Sequence, residues 1–238
     1  TLKSSLQQML PDHAGGSFEN VTRGSRLTAE ILADPRSPVS DHDGWGVWAQ
    51  QVAWGNSKSI GSTSSYNLTG WGAALGFERR LGGFGSLGLS FDYMNGKDKK
   101  LLDNQYEGGL YWRADFGHLH AFARGSAGTI SFKGNRTFTG TADGATITRN
   151  AEGKWNGRLM SATGGLSYEL RRGRFTARPN ASLEYFRLKE KGYTETGGGA
   201  AFDLVVDGRT SDETAANAGL ALGYDLLSLD PQEDWLRV

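Results

Sequence analysis

His118 and His120 stand two residues apart in "FGHLHAF". On an extended strand both imidazoles project from one face, as a pair of metal ligands would. They adjoin a short turn and no third ligand is suggested, which favours a structural role. Ser17 in "GGSFEN" lacks the G-x-S-x-G strand-to-helix context that presents a nucleophilic serine. "LGGFG" (81–85) precedes no helix, so its glycines mark a turn and not a phosphate loop. Asp41 with Asp43, and Glu190 with Glu195, lie in loops or flanks where solvated charge accounts for them. No catalytic, cofactor or metal-binding residue is assigned, and no enzymatic activity is expected.

The remaining chemistry is that of surfaces. Among 238 residues, 26 basic and 26 acidic side chains cancel, so no nucleic-acid partner is expected. Cysteine is absent, which excludes disulfides and thiolate sites and fits a route through an oxidising periplasm. No window approaches 18 consecutive apolar residues, so no transmembrane helix is expected, and the N-terminus shows no signal peptide. If the protein is exported, the chain is a mature or excised portion. A mean hydropathy of −0.48 ordinarily means a soluble protein. A membrane β-barrel is the spanning architecture that hides behind such a value, because half its residues face a polar lumen.

Residues 1–38 read as a linker and one helix, starting at Asp12 and stopping at Asp34-Pro35. Phe18, Val21, Leu27 and Ile31 form a thin apolar stripe, surrounded by Asp12, Glu19, Arg23, Arg26 and Glu30. Gly15, Gly16 and Gly24 each lower its propensity by roughly 1 kcal/mol relative to alanine. Such a helix needs a host surface that is itself largely polar.

From Gly44 onward the period changes to two. "SLGLSFDYM" sets Leu87, Leu89, Phe91 and Tyr93 against Ser86, Gly88, Ser90 and Asp92. "QYEGGLYWRADFG" sets Tyr106, Leu110, Trp112, Ala114 and Phe116 against Glu107, Tyr111, Arg113 and Asp115. The same alternation puts Leu166 opposite Glu169, Phe77 opposite Glu78, and Leu183 opposite Arg178 and Glu184. About eight such strands are expected, with a further one starting at Trp235, each with about 10 residues of clear alternation. "RRLGGFG", "DFGH" and "LRRGRF" are tight turns. "MNGKDKKLLDNQ", "KGNRTFTGTADGATITRNAEGKWNG" and "KEKGYTETGGGAAFDLVVDGRTSDETA" read as long polar loops. Short turns at one end and long loops at the other describe an outer-membrane barrel.

A soluble sandwich also alternates, but its polar face tolerates lysine freely. Here that face carries Gly, Ser, Arg and Glu, including Gly72, Gly76, Gly88 and Gly109, where missing side chains leave room for something bulky. Tyr93, Phe116, Phe175 and Tyr185 cluster towards strand ends, as an interfacial girdle requires. The lipid-facing set is therefore Leu87, Leu89, Phe91, Leu110, Trp112, Leu166 and Leu183. The lumen-facing set is Glu78, Asp92, Arg113, Glu169, Arg178 and Glu184. Arginine at Leu89 or Phe91 is expected to block insertion, and the same change at Ser90 to be mild.

Four stretches together resemble the translocator domain of type V autotransporters. "LPDHAGGSFENVTRGSRLTAEILADP" is similar to the helix preceding the barrel in that family, and "GWGVWAQQVAWG" to its first strand. "PNASLEYFRLKEKGYTETG" is similar to its P-x-A-x-L-x-Y…G-Y-x-E strand and loop, and "NAGLALGYDL" to the strand that follows. The resemblance implies an all-β, antiparallel outer-membrane barrel of about twelve strands with an N-terminal α-helix in its lumen. Phe18, Asn20, Val21, Arg23, Arg26, Leu27 and Glu30 would belong to the lumen helix, and residues 39–238 to the barrel.

It further implies secretion or surface display of an N-terminal passenger in a Gram-negative bacterium. The implied partners are outer-membrane lipid, the covalently linked passenger, the outer-membrane insertase and periplasmic chaperones. Some members cut the lumen helix at an asparagine backed by lumen acids. Asn20 lies in the helix, but a paired-asparagine junction is absent, so a tether or plug is favoured. The family's terminal aromatic strand is not found before Val238. Eight or nine strands alone would leave unpaired edges, as in an assembly intermediate held by the insertase. A small outer-membrane pore or hydrolase barrel is the alternative, and a soluble binding module the third reading.

Overall fold

The computed structural model describes residues 16–35, 44–58, 66–98, 101–142 and 145–225. Helix α1 spans Gly16–Ala33. The strands follow in chain order as β1 (Trp45–Lys58), β2 (Tyr66–Arg80), β3 (Ser86–Asp98), β4 (Leu101–Phe116), β5 (Leu119–Ala142) and β6 (Ala145–Tyr168). After them come β7 (Leu170–Arg172), β8 (Phe175–Glu190), β9 (Tyr193–Thr194), β10 (Val205–Val206) and β11 (Arg209–Tyr224). The main sheet is antiparallel throughout, in the order β1-β2-β3-β4-β5-β6-β8-β11, with β7 paired to the lower part of β8. β9 and β10 form a separate hairpin. Among the described residues β1 and β11 do not pair with each other, so the sheet is open. The helix lies on its inner face. The expected helix start at Asp12 and the expected strand at Trp235 lie outside the described residues.

Two of the expected long loops are strand. The described residues of "MNGKDKKLLDNQ" belong to β3 and β4, with Leu101, Asp103 and Gln105 buried on alternate positions. Residues 133–142 and 145–157 extend β5 and β6 to 24 residues each. Polar composition marks a loop only where a strand must bury one face in a core or in lipid. These segments run past the apolar belt, where water meets the outer face, so Lys97, Asn104 and Lys154 stand there without penalty.

The alternation therefore inverts along single strands. On β8, Leu183 and Tyr185 are exposed on the outer face, but two steps on Phe186 and Leu188 are buried inside while Arg187 and Lys189 face out. Leu101, Ile130, Phe132, Trp155 and Leu159 join Phe186 and Leu188 in one inner cluster around Val21 of the helix. Below that level the outer face is aliphatic and bounded by two aromatic rings. The upper ring links Trp71, Tyr93 and Tyr106 at centroid distances of 5.8 and 5.1 Å. The lower ring links Phe84, Trp112 and Phe116 at 5.7 and 6.5 Å. On β8 the rings are represented by Phe175 and Tyr185. Their separation is about 33 Å along the strand and about 25 Å in height at a tilt of about 40°. One outer-face expectation fails: Ala114 is buried, because the turn at Gly85 passes over it.

The third expected loop contains the β9–β10 hairpin, which folds back against β5 and β6. Tyr193 stacks on Trp155 at 4.3 Å and 8°. Phe202 meets Phe138 at 4.8 Å. Arg136 pairs with Glu195 at 2.6 Å, both buried. Burial pushes the Tyr193 hydroxyl up to about 12. Tyr193→Ala is expected to remove about 1 kcal/mol of stacking beyond its area. Proteolysis within residues 197–204 should then run about fivefold faster by gel densitometry, because local opening governs cleavage.

Candidate functional site: the seat of the helix

A helix with two glycines, Gly16 and Gly24, and a mixed polar surface has little reason to fold alone. Its buried side chains are short: Ser17, Asn20, Thr22, Ser25, Thr28 and Ala29, with Val21 and Leu32 as the larger apolar ones. The sheet answers with long polar side chains on alternate inner positions. At mid-height Arg124 of β5 lies 2.6 Å from Asp92 and 2.8 Å from Glu107. The same two carboxylates accept hydrogen bonds from the helix, Thr28 to Asp92 at 3.0 Å and Ser25 to Glu107 at 2.9 Å. Arg124 also donates to Ser25 and Ser90, each at 3.3 Å. One guanidinium thus holds two acids that in turn hold the helix. All three charged side chains are almost wholly buried.

At the N-terminal end Asn20 donates to Asp103 and accepts from the Trp54 indole at 3.1 Å. Arg209 of β11 reaches both Ser17 and Glu190, and Glu190 also accepts from Trp155 at 3.0 Å. At the C-terminal end the Leu32 carbonyl lies 3.0 Å from His120 Nε2, while Nδ1 lies 2.7 Å from Asp115. His118 instead sits against the Tyr168 ring at 6.0 Å, so the two histidines do not converge. On the more open side Arg26 bonds Glu184 at 3.0 Å, reaches Glu213, and lies 4.7 Å over the Phe186 ring.

The residues expected inside are placed as follows. Asp92 and Glu184 touch the helix directly. Arg178 bridges Glu169 at 2.8 Å and Asp34, just past the helix, at 3.6 Å. Arg113 pairs with Glu78 at 3.0 Å, and Tyr111 donates to the same carboxylate while accepting from Trp48. Trp48 packs with Ala29 and Leu32, so this pair supports the helix through an aromatic intermediary. Phe18 and Val21 enter the upper apolar cluster, and Leu27 packs on Val52, Trp54 and Met94. Arg23 and Glu30 line a polar gap of about 680 Å³ between the helix and β6, β8 and β11. On the outer face Leu87, Leu89, Phe91, Leu110, Leu166 and Leu183 are exposed and Trp112 is half-buried under Phe84.

The sequence reading put Glu107 on the polar face but missed Ser25, Thr28, Asp103 and Arg124. The alternation in "LLDNQYE" and "HLHAFARGS" was sufficient to place Asp103 and Arg124 inside. The room left at the inner glycines is taken by side chains of the sheet itself: Trp48 at Gly76, Tyr111 at Gly88, Met94 at Gly72, and Ser90 with Arg124 at Gly109. At Gly96 the nearest side chain is one from the helix, Asn20. Ser90 is another correction. It is 6% exposed beneath Arg124, so arginine there would bury like charges together and cannot be mild.

Among the described residues Asp92, Asp103, Glu107, Glu184 and Glu190 each accept from a side-chain donor. The arrangement is a socket for a helix. The model of the autotransporter β-domain family matches residues 47–232. The chain belongs to that family. Among solved structures it is similar to the translocator domain of autotransporter NalP from Neisseria meningitidis, with a TM-score of 0.61 and 18% identity, over 90% of this chain and 72% of that one. That likeness is one of fold. No curated protein matches the sequence at a significant level.

In this autotransporter β-domain the helix passes close over Gly96, where an added Cβ would lie 2.0 Å from Asn20 Nδ2. Gly96→Val is expected to cost about 1–3 kcal/mol by overpacking. The helix should be displaced before the sheet, because its seat is the weaker body. Cross-linking of Arg26→Cys to Glu184→Cys by a short bis-maleimide that spans the two vacated side chains, read on a gel, should fall several-fold in the valine variant.

Proposed function

We propose that this autotransporter β-domain spans the outer membrane of a Gram-negative bacterium and carries a passenger, joined through residues 1–38, to the cell surface. The observation that supports this reading most is the direction of the seated helix. Its C-terminal end lies at His120 beside the short turns, where β1 also begins. Its N-terminal end lies at Asp103, Glu190 and Arg209, on the side of the long β5–β6 hairpin. A polypeptide preceding Gly16 therefore leaves the sheet at the long-hairpin end, which is the extracellular end of an outer-membrane barrel.

The helix is then a tether or plug, and residues 39–238 form the translocator body. Leu87, Leu89, Phe91, Leu110, Trp112, Leu166 and Leu183 contact hydrocarbon. Glu78, Asp92, Arg113, Glu169, Arg178 and Glu184 solvate the chain inside. The domain catalyses nothing. It works with outer-membrane lipid, its own passenger, and the insertase and chaperones that deliver it. A reporter passenger fused before Thr1 in the full protein tests this. Protease added to intact cells should remove the reporter while the folded barrel stays heat-modifiable on a gel. A folded barrel with its reporter protected inside the cell would overturn the reading.

A further inference from the structure

The outer face of β6 and β8 changes character within one alternate position. Met160, Ala162, Leu183 and Tyr185 are exposed below, and Arg158, Arg187 and Lys189 are exposed above. Arg158 and Lys189 oppose each other directly across the two strands. Like charges so placed destabilise a sheet. Among the described residues neither has a carboxylate partner, and the next positions in their row are Thr129 and Thr210. The one acid nearby is Asp212, 3.5 Å from Arg187 and already accepting from the Tyr185 hydroxyl at 2.9 Å. An anion from outside the chain would relieve this repulsion at one fixed height. Lys189 is about 13 Å along the strand from Tyr185 of the upper aromatic ring, within the headgroup layer of the same leaflet.

A second feature points to the same ligand. Next to the cluster the outer face is bare, with Gly108, Gly125 and Ala127 flooring an apolar groove of about 940 Å³ walled by Leu75, Leu89, Phe91 and Leu110. Ala127 opposes Met160, one alternate position below the Thr129–Arg158 pair. A hydrocarbon chain lying in this groove would bring its head up to Arg158.

We propose that Arg158, Lys189 and Arg187 bind the phosphate of an outer-leaflet lipid whose acyl chain lies over Gly108, Gly125 and Ala127. The leaflet rests on the outward direction of the long hairpins given above. The binding is tested in detergent, which has no sides, so its failure and a wrong orientation are separable. Trypsin shaving of whole cells, read at the β5–β6 hairpin, tests orientation alone.

The full protein, folded in detergent, is titrated by native mass spectrometry with bisphosphorylated lipid A, phosphatidylcholine or inorganic phosphate. Lipid A should bind about tenfold or more tightly than phosphatidylcholine, and Arg158→Gln with Lys189→Gln should erase that preference. Arg171→Gln with Arg172→Gln, at the opposite rim, should leave it unchanged. Equal binding of the two lipids, or an undiminished preference in the Arg158/Lys189 variant, would overturn the site. Displacement of lipid A by millimolar inorganic phosphate would assign the cations to a soluble anion and overturn the lipid. If the double variant does not regain heat-modifiable mobility, Arg158→Gln alone is read against the same outcomes.

Discussion

Arg124→Met is expected to destabilise the domain by about 3–5 kcal/mol, because it strands two buried carboxylates without a counter-charge. Asp92 and Glu107 face the same guanidinium, and each also accepts from the helix. The helix and the sheet are thus held by the same charges. The loss should appear twice: as a lower urea midpoint, and as trypsin cleavage at Arg23 and Arg26 while the strands stay protected. Arg124→Lys keeps the charge but not the fork that spans two acids, so it should fall between. The decisive comparison is Arg124→Met combined with Asp92→Asn and Glu107→Gln. Neutral amides can still accept from Thr28 and Ser25, and the triple variant should recover most of the loss. If Arg124→Met leaves both readouts unchanged, the network does not hold the helix.

This dependence explains which parts of the molecule could be read from its sequence. The outer face was legible because lipid demands uniform apolarity, and "SLGLSFDYM" shows that demand without ambiguity. The helix was legible as an element from its termination at Asp34-Pro35, and the described helix ends at Ala33. Its partners were not. Ser25 and Thr28 are ordinary helix residues until a carboxylate is placed opposite, and register supplies that carboxylate. Arg124 reaches Asp92 only because β3, β4 and β5 are paired at Asp92↔Glu107 and Tyr111↔Arg124. The loops misread at 94–105 and 133–157 failed for a different reason. A strand with water outside and a packed helix inside has its apolar residues on the face opposite to that of a strand in lipid. One period-two pattern cannot show both without knowing where the membrane ends.

The inner surface changes character along the helix. At the level of Asp92, Glu107 and Arg124 it is polar and meets Ser25 and Thr28. Above, Trp155, Phe186 and Leu188 close over Val21 and Phe18, with Asp103 and Glu190 among them held by Asn20, Trp155 and Arg209. Below, Trp48 and Phe122 meet Ala29 and Leu32. The arrangement fixes the helix in height as well as in rotation, since sliding by one turn would put Val21 among carboxylates and Ser25 among rings.

Leu89→Arg with Phe91→Arg is expected to abolish membrane insertion, at about 2–4 kcal/mol for each cation near the bilayer midplane. Leu89 is 61% exposed and Phe91 54%, so in water neither substitution would meet an obstacle. The cost exists only if hydrocarbon covers them. Arginine is tolerated on this face at the rim, where Arg79 lies 5.1 Å over the Trp45 ring. Depth therefore decides the outcome more than residue type. Folding into lipid vesicles, followed by heat-modifiable gel mobility, should fail for the double variant. Asn217→Arg, on the inner face beside the polar gap, should fold normally. Ser90→Arg lies between these two positions in sequence and should also fail, by repulsion from Arg124, and adding Arg124→Ser should rescue it. No change inside the sheet should rescue the Leu89/Phe91 pair. If that pair instead folds as well as the parent chain, the outer face is not in lipid, and a soluble sheet becomes the better reading.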